Sequence, residues 1–370
     1  MKWDVLVIGA GPAGCLAAAV VARCGARVLL VERAAMPRSK VCGCCLSARG
    51  VGLLQQVGVL PILVRRGARA FDRVRLRCGR YAADIHVPAG LAASRSTLDS
   101  VLLEHAARAG VAVQDGTSAR VLPEGLVELS GRSESRCHAA AVVVADGIGG
   151  SSLRDYPGLR WSIRRSSKIG LGVVLGAAPI ALTPGVIAMH VGPGGYAGMV
   201  MLEGGRVDVA AAVGRETVSL RGPGGAVDGL LSSCGVEGAW ARRARWHGTP
   251  ALTRRRNRVW DGRVFVIGDA AGYVEPFTGE GMTWAMESGV SVAACVRDHL
   301  EGVPGAGPAW ERASRWLLGA RRRACGVVAW AAGRPRLVEA GLATVGWVQR
   351  SWADGRIAHA GGEVAPWVHG

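Results

Sequence analysis

DVLVIGAGPAGCLAAAVVARCGARVLLVE, residues Asp4 to Glu32, runs strand, glycine-rich turn, helix and second strand in immediate succession. Asp4 to Ile8 is short, apolar and rich in branched side chains, as a strand buried on both faces must be. Gly9, Gly11 and Gly14 then fall at GxGxxG spacing, and an Ala-rich helical pattern runs on to about Arg23. Each glycine is there for a physical reason. Gly9 makes the tight turn, Gly11 admits a pyrophosphate to the backbone, and Gly14 lets helix and strand pack closely. A second strand, Arg27 to Val31, ends in Glu32, an acid placed to bind ribose hydroxyls. The stretch therefore predicts a parallel α/β domain that binds a dinucleotide, with FAD and NAD both open.

A second strand end lies far along the chain, in VFVIGDAAGYVEPFTGEGMTWAMESG, Val264 to Gly289. The apolar run stops at Gly268-Asp269, so Asp269 sits where open α/β sheets bind ligands. Its carboxylate could accept hydrogen bonds from a polyol such as the ribityl chain of a flavin. After Pro276, Thr278 to Met282 opens a helical pattern, and Gly279 and Gly281 would let a ring approach the backbone. The free N–H groups of that helix start favour a ligand that becomes anionic, as a reduced flavin does. The plain alternative is an ordinary glycine-rich turn. Val142 to Val144 ends in the same way at Ala145-Asp146-Gly147, where the plain alternative is a turn-forming Asp-Gly.

Phe71 to Val87 alternates as antiparallel strands. Ser94 or Ser96 caps a helix that runs to Ala109. Residues 168–215 read as a meandering sheet covering a substrate, with helices near Ala226 to Ser233 and after Pro308. The expected division is a dinucleotide-binding part in three pieces (1–70, 92–160, 250–305), a substrate-binding sheet (71–91, 161–249) and C-terminal helices (306–370).

Composition sets the bounds. Of the 370 residues 49% are hydrophobic and 20% charged, which excludes a disordered chain. The formal charge is +17, and the only lysines are Lys2, Lys40 and Lys168, so the basicity is nearly all arginine. Nucleic-acid binding would use clusters such as Arg242-Arg243-Ala244-Arg245 beside Trp240 and Trp246, but the second cluster, Arg254 to Arg258, runs directly into the Asp269 strand. No nucleic acid is expected. The ten cysteines form no spaced disulfide framework, and no apolar run reaches the roughly 20 residues needed to span a bilayer. A cytoplasmic protein is expected, with the Arg-rich C-terminal helices as a candidate peripheral membrane face. Cys42 and Cys45 form a CxxC open to three readings: a zinc half-site, a redox pair or packed thiols. No second CxxC or paired His completes a metal site. Arg38 and Lys40 beside the thiols could lower a thiol pKa or contact phosphate.

With these pieces in place the chain resembles the FAD-dependent geranylgeranyl reductase group, within the fold shared with p-hydroxybenzoate hydroxylase, over nearly its whole length. The resemblance implies a Rossmann-like FAD-binding domain of the glutathione reductase type 2 class with an inserted, mainly antiparallel substrate sheet. It assigns Gly9, Gly11, Pro12, Ala13, Gly14, Glu32 and Arg33 to the adenosine and pyrophosphate site. Arg95 in SRSTLD goes to the pyrophosphate or ribityl chain, with Asp146, Gly147, Gly268 and Asp269 at the strand ends. Pro276, Gly279, Gly281 and Met282 face the isoalloxazine. The Lys-x-Cys-Gly segment of the reductases matches Lys40 to Gly43 and makes Cys42 the functional thiol. Their Gly-Gly-Tyr-x-Trp-x-Phe-Pro segment reads Gly194 to Met201 here; Tyr196 is kept, while Gly198, Val200 and Met201 replace Trp, Phe and Pro. That departure opens the pocket to a bulkier or ring-bearing substrate. Two activities follow from the resemblance: reduction of C=C bonds in an isoprenoid or lipid-like substrate, with Cys42 or Tyr196 as catalytic residue, and hydroxylation of an aromatic or polyketide-type substrate. NADPH is the expected electron donor. The Trp-x-Trp-x-Ile-Pro segment of tryptophan halogenases is absent.

Overall fold

A computed structural model describes residues 3–131, 134–275, 277 and 279–353. Its central sheet has six strands in the order Trp260–Asp261, Val264–Val266, Ala139–Val144, Trp3–Ile8, Val28–Val31, Ala112–Gln114. All neighbours are parallel except the antiparallel edge strand Trp260–Asp261. Ile8 stands level with Val31 and Val144, and Val144 with Val266. The residues that follow, Gly9, Glu32, Asp146 and Asp269, therefore emerge along one edge.

Alternation sorts the side chains to two faces. Val5, Val7, Leu30, Val143 and Phe265 pack with Leu16, Leu98, Leu102 and Met286 from the helices Pro12–Arg23, Arg95–Arg108 and Gly281–Leu300. Leu6, Ile8, Val142 and Val144 turn the other way, onto Val121, Val127 and Leu129 of a small antiparallel sheet. The parallel sheet is thus the middle layer.

The second large sheet has eight strands in the order His247–Ala251, Ile169–Leu175, Val207–Val213, Gly195–Met201, Val186–Gly192, Arg69–Cys78, Tyr81–Ala92, Cys45–Leu46. One pairing, Val186–Gly192 with Arg69–Cys78, is parallel. The meander expected over residues 168–215 differs in one respect: Ile169–Leu175 pairs with Val207–Val213, its last strand, instead of with its successor. The connection to Val186–Gly192, which carries Pro179 and Pro184, is a crossover and not a tight hairpin.

Three helix starts also differ from the sequence reading. The helix ending at Ser233 begins at Arg215 and breaks at Gly222 (φ 67°), before Pro223. The helix expected after Pro308 begins at Ala306, with the proline in its first turn, where its missing N–H costs nothing. The helix expected from Thr278 starts at Gly281, and Pro276 and Thr278 lie outside the described residues. Pro335–Ala353 follows and sends Val338 and Leu342 into a core with Tyr81, Tyr196 and Phe277. No helix among the described residues is long and apolar enough to cross a membrane.

Candidate functional site

Gly9 leaves the first strand with φ +103°, and a Cβ there would stand 2.5 Å from the Ala145 carbonyl oxygen. At Gly14 a Cβ would stand 1.9 Å from the Gly9 oxygen. Turn, helix and neighbouring strand thus meet at these two glycines with no room for a side chain, and Pro12 and Ala13 are buried in the first helical turn. Gly11 is different. Its Cβ would meet only Arg38 Nη2 at 3.7 Å and Arg95 Nη2 at 3.8 Å. A helix N-terminus thus faces two guanidiniums across a gap.

Asp99, fully buried, holds that pair. It accepts from Arg95 Nε (3.0 Å) and Nη2 (2.8 Å), and Arg38 Nη2 lies 3.2 Å away. Burial works against the Arg95 charge, and Asp99 with the nearby Cys42 more than offsets it, holding the pKa above the usual arginine range. The helix carrying Arg95 is fixed at its start. Ser94 caps it, accepting from Thr97 N at 3.2 Å. Buried Glu203 accepts from Ser94 N (3.1 Å), Thr97 Oγ1 (2.6 Å) and Arg206 Nη2 (2.6 Å). Neither Asp99 nor Glu203 was found from sequence. Asp99 carried a signal, its i,i+4 spacing from Arg95, whereas Glu203 carried none.

Glu32 is buried, and its two oxygens accept from Ala10 N (2.9 Å) and Ala34 N (3.0 Å), bracing the glycine turn. Arg33 beside it is exposed. Asp146 accepts from Ser152 N at 3.0 Å through Oδ2, while its Oδ1 is buried without a partner among the described residues. Burial raises the Asp146 pKa. Across from it a Cβ on Gly147 (φ +77°) would lie 2.6 Å from Lys40 Nζ, and burial lowers the Lys40 pKa. Gly268 N donates to Ser288 Oγ (2.9 Å), which fixes the turn bearing Asp269. Gly279 has φ +72° and sits beside Cys45. Gly281 opens its helix with no side-chain cap among the described residues, and Met282 packs into the core.

The thiols divide. A hydrogen bond from Cys44, opposed by burial and helped by Arg95, brings the pKa of half-buried Cys42 down to about 6. Cys44 and Cys45 are pushed up, Cys44 by its bond to Cys42 and then by burial, Cys45 by burial first. Buried Asp208, also unforeseen, faces this group and is raised by burial and by the Cys42 charge. Among the described residues no three His, Cys, Asp or Glu side chains are placed to hold a metal ion. Alkylation of FAD-free protein by iodoacetamide is accordingly expected to go first to Cys42, with a rate that climbs through a midpoint near pH 6. A midpoint near the ordinary value would remove the thiolate.

Tyr196 lies in a separate wall, on Gly195–Met201, edge-on to Phe277 at 4.9 Å. Lys168 Nζ stands 5.9 Å from its ring and pairs with Glu275 at 2.8 Å, both largely buried. The Tyr196 hydroxyl is buried beside Glu275 with no hydrogen bond closed among the described residues; burial and then Glu275 raise its pKa well above the usual value. Tyr273 stands between the two walls. After burial, Asp269, Cys42 and Glu275 all act on it.

Among the described residues this donor set fits a flavin dinucleotide: a glycine gap between N–H groups and two arginines for the pyrophosphate, a buried carboxylate oxygen without a partner for a hydroxyl, and a helix start without a side-chain cap for a ring that gains charge. Comparison with known proteins agrees. Residues 2–308 match the FAD binding domain family. The menaquinone reductase of Mycolicibacterium smegmatis is 30% identical over 77% of this chain and 74% of its own. Digeranylgeranylglycerophospholipid reductase 2 of Methanothermobacter thermautotrophicus is 28% identical over 78% and 76%. Among solved structures, a flavin-dependent brominase superposes with TM-score 0.79 at 17% identity, covering 90% of this chain and 88% of that one. A probable FAD-dependent monooxygenase from Pseudomonas aeruginosa gives 0.72 at 22%, covering 92% and 99%. By sequence match and by the residues at its strand ends, the chain belongs to the FAD binding domain family and is an FAD-dependent oxidoreductase.

Proposed function

We propose that this protein is a reductase that saturates a C=C bond in an isoprenoid or other lipid-like substrate, with NADPH as electron donor. The observation that carries the reading is the second wall: a buried, protonated Tyr196 hydroxyl beside Glu275, with no hydrogen bond closed among the described residues and an apolar cluster around its ring. FAD, when bound and reduced, supplies hydride to one carbon. The remaining work belongs to the chain. Arg38, Arg95 and Gly11 hold the pyrophosphate, Asp146 and Asp269 take hydroxyls, and the Gly281 helix start favours negative charge on the ring. Tyr196 holds the proton that the second carbon needs, with its ring packed edge-on against Phe277 and beside Lys168. Cys42, its pKa lowered to about 6 by Cys44 and Arg95, is the weaker source of that proton at neutral pH and lies with Arg95 on the other wall, near Tyr273.

The reductase names of the two relatives above support this reading. A second reading, hydroxylation of an aromatic or polyketide-type substrate, draws support from the substitution at Gly198. There Met189 Sδ fills the space a side chain would need, 2.7 Å from where a Cβ would stand, which leaves an adaptable wall. Incubation of FAD-loaded protein with NADPH and a polyprenyl quinone or geranylgeranyl lipid separates the two. Gain of a hydrogen pair without oxygen is expected, and Tyr196→Phe should lower kcat about 100-fold while leaving FAD content unchanged. Incorporation of an oxygen atom from O2 would transfer the protein to the second reading.

Peripheral membrane contact from the cytoplasmic side belongs to the same proposal. Trp316 (81% exposed), Val327 (65%) and Trp330 (51%) project from one side of Ala306–Ala332. Flotation with anionic vesicles is expected for the whole protein, and Trp316→Ala with Trp330→Ala should abolish it. Equal flotation of the double variant would take this helix off the membrane.

A further inference from the structure

A cavity of about 570 Å³ opens beside the loop that follows Asp146, away from the glycine gap at Gly11. Its wall carries Arg154, Arg160, Arg254 and Arg256. Arg154 and Arg160 are exposed at the rim, while Arg254 and Arg256 are buried. The buried two are satisfied by carbonyl oxygens: Arg254 donates to Ala251 (2.9 Å) and Ile148 (3.0 Å), and Arg256 to Ala270 (2.8 Å) and Leu159. Among the described residues no salt bridge joins any of the four to a carboxylate. The wall's own acid, Asp155, pairs outward with Arg120 at 3.0 Å.

Trp161 organises this charge. It pairs with Arg256 across neighbouring strands, and its ring lies 4.2 Å from the Arg256 guanidinium and 5.1 Å from that of Arg254. Two donors are left over. Arg256 Nη2 and Trp161 Nε1 are both buried with no partner among the described residues. They converge on Gly150 in the cavity wall, at 3.1 and 2.9 Å from where its Cβ would stand. Buried donors without acceptors, one of them charged, are costly to keep. Burial lowers the Arg256 pKa to about 10, with Asp146 as the acid that favours its charge.

We propose that this cavity binds a phosphate-bearing anion, a phosphate monoester or pyrophosphate, that Arg154 and Arg160 hold at the rim while the buried charges of Arg254 and Arg256, with Arg256 Nη2 and Trp161 Nε1 behind Gly150, make the wall positive. Four guanidiniums around one cavity offer donors from several directions and more positive charge than a single carboxylate would balance, which suits the several oxygens and higher charge of a phosphate. A nucleotide and a lipid head group both carry that chemistry. The proposal does not depend on the reductase reading.

Calorimetric titration of the FAD-saturated protein with inorganic pyrophosphate tests it, because bound FAD keeps the probe from the Gly11 gap. Saturable binding is expected, and the double variant Arg154→Gln, Arg160→Gln should weaken it about tenfold or more with FAD content and melting temperature unchanged. Parallel titrations with NADP+ and NAD+, and co-sedimentation with phosphatidate vesicles, identify the source. Preference for NADP+ with competition by pyrophosphate assigns a nucleotide. Retention on vesicles that the double variant loses assigns a head group. Absence of pyrophosphate binding, or binding that the double variant leaves intact, overturns the proposal.

Discussion

Gly14→Ala is expected to abolish the folded, FAD-loaded protein, whereas Gly11→Ala should fold and lose only the cofactor. The residues lie three apart in one glycine motif, and the difference is one of contact. A methyl on Gly14 would overlap the Gly9 carbonyl, 1.9 Å away, and that oxygen is main chain in a turn itself pressed against Ala145. It cannot yield without opening the junction of the first strand and first helix. Overlaps of this kind belong to the mutations that cost more than about 4 kcal/mol, against a total stability of about 5–15 kcal/mol. Gly11 has extended backbone (φ −83°, ψ −179°) that any residue adopts, and its nearest neighbours are side-chain tips at 3.7 and 3.8 Å. In FAD-free protein Gly11→Ala should therefore be neutral or stabilising by about 0.4–1 kcal/mol. The methyl would, however, fill the gap that a pyrophosphate needs. A loss of about 100-fold in FAD affinity, near 2.7 kcal/mol, is expected. Flavin absorbance of the purified proteins and melting curves with and without added FAD report both quantities. Stoichiometric FAD in Gly11→Ala would move the pyrophosphate elsewhere.

The sequence could be read this far because the glycine motif is local. Strand, turn, helix and acid follow one another from Asp4 to Glu32, and each is marked by its own pattern. Asp146 and Asp269 were legible for a related reason: each closes a short apolar run, and parallel pairing brings such ends together whatever lies between them. The partners of those residues were not legible. Arg38 and Arg95 meet on Asp99, but only the Arg95 spacing shows along the chain. Glu203 reaches the Ser94 cap from 109 residues away, and Lys168 reaches Glu275 from 107. Nothing periodic announces such pairs, because they are set by how the two sheets meet. The cross-over of Ile169–Leu175 escaped for the same reason, since alternation reveals a strand but not its neighbour.

Asp99→Asn should be the most damaging substitution that changes no shape. Asp99 is fully buried, and Arg95 is nearly so. Asn keeps the volume and can still accept hydrogen bonds, so neither a cavity nor a clash enters the result. What it removes is the charge that stands against two guanidiniums, with Lys40 also nearby. Breaking a buried ion pair on one side commonly costs about 3–5 kcal/mol, because the cation left behind has lost its water without gaining a partner. Glu32, 3.6 Å from Arg38, relieves part of this, and the Cys42 thiolate relieves part at Arg95. Most of the cost should remain in FAD-free protein. FAD changes the balance, since its pyrophosphate returns negative charge to the same two arginines and stabilises the folded state in proportion to its binding. The deficit of Asp99→Asn relative to wild type should accordingly be largest without FAD and smaller in excess FAD. Denaturant unfolding of both proteins under both conditions measures the difference. An equal deficit with and without FAD would show that the arginines do not face the pyrophosphate, and no deficit at all would show that water already balances their charge.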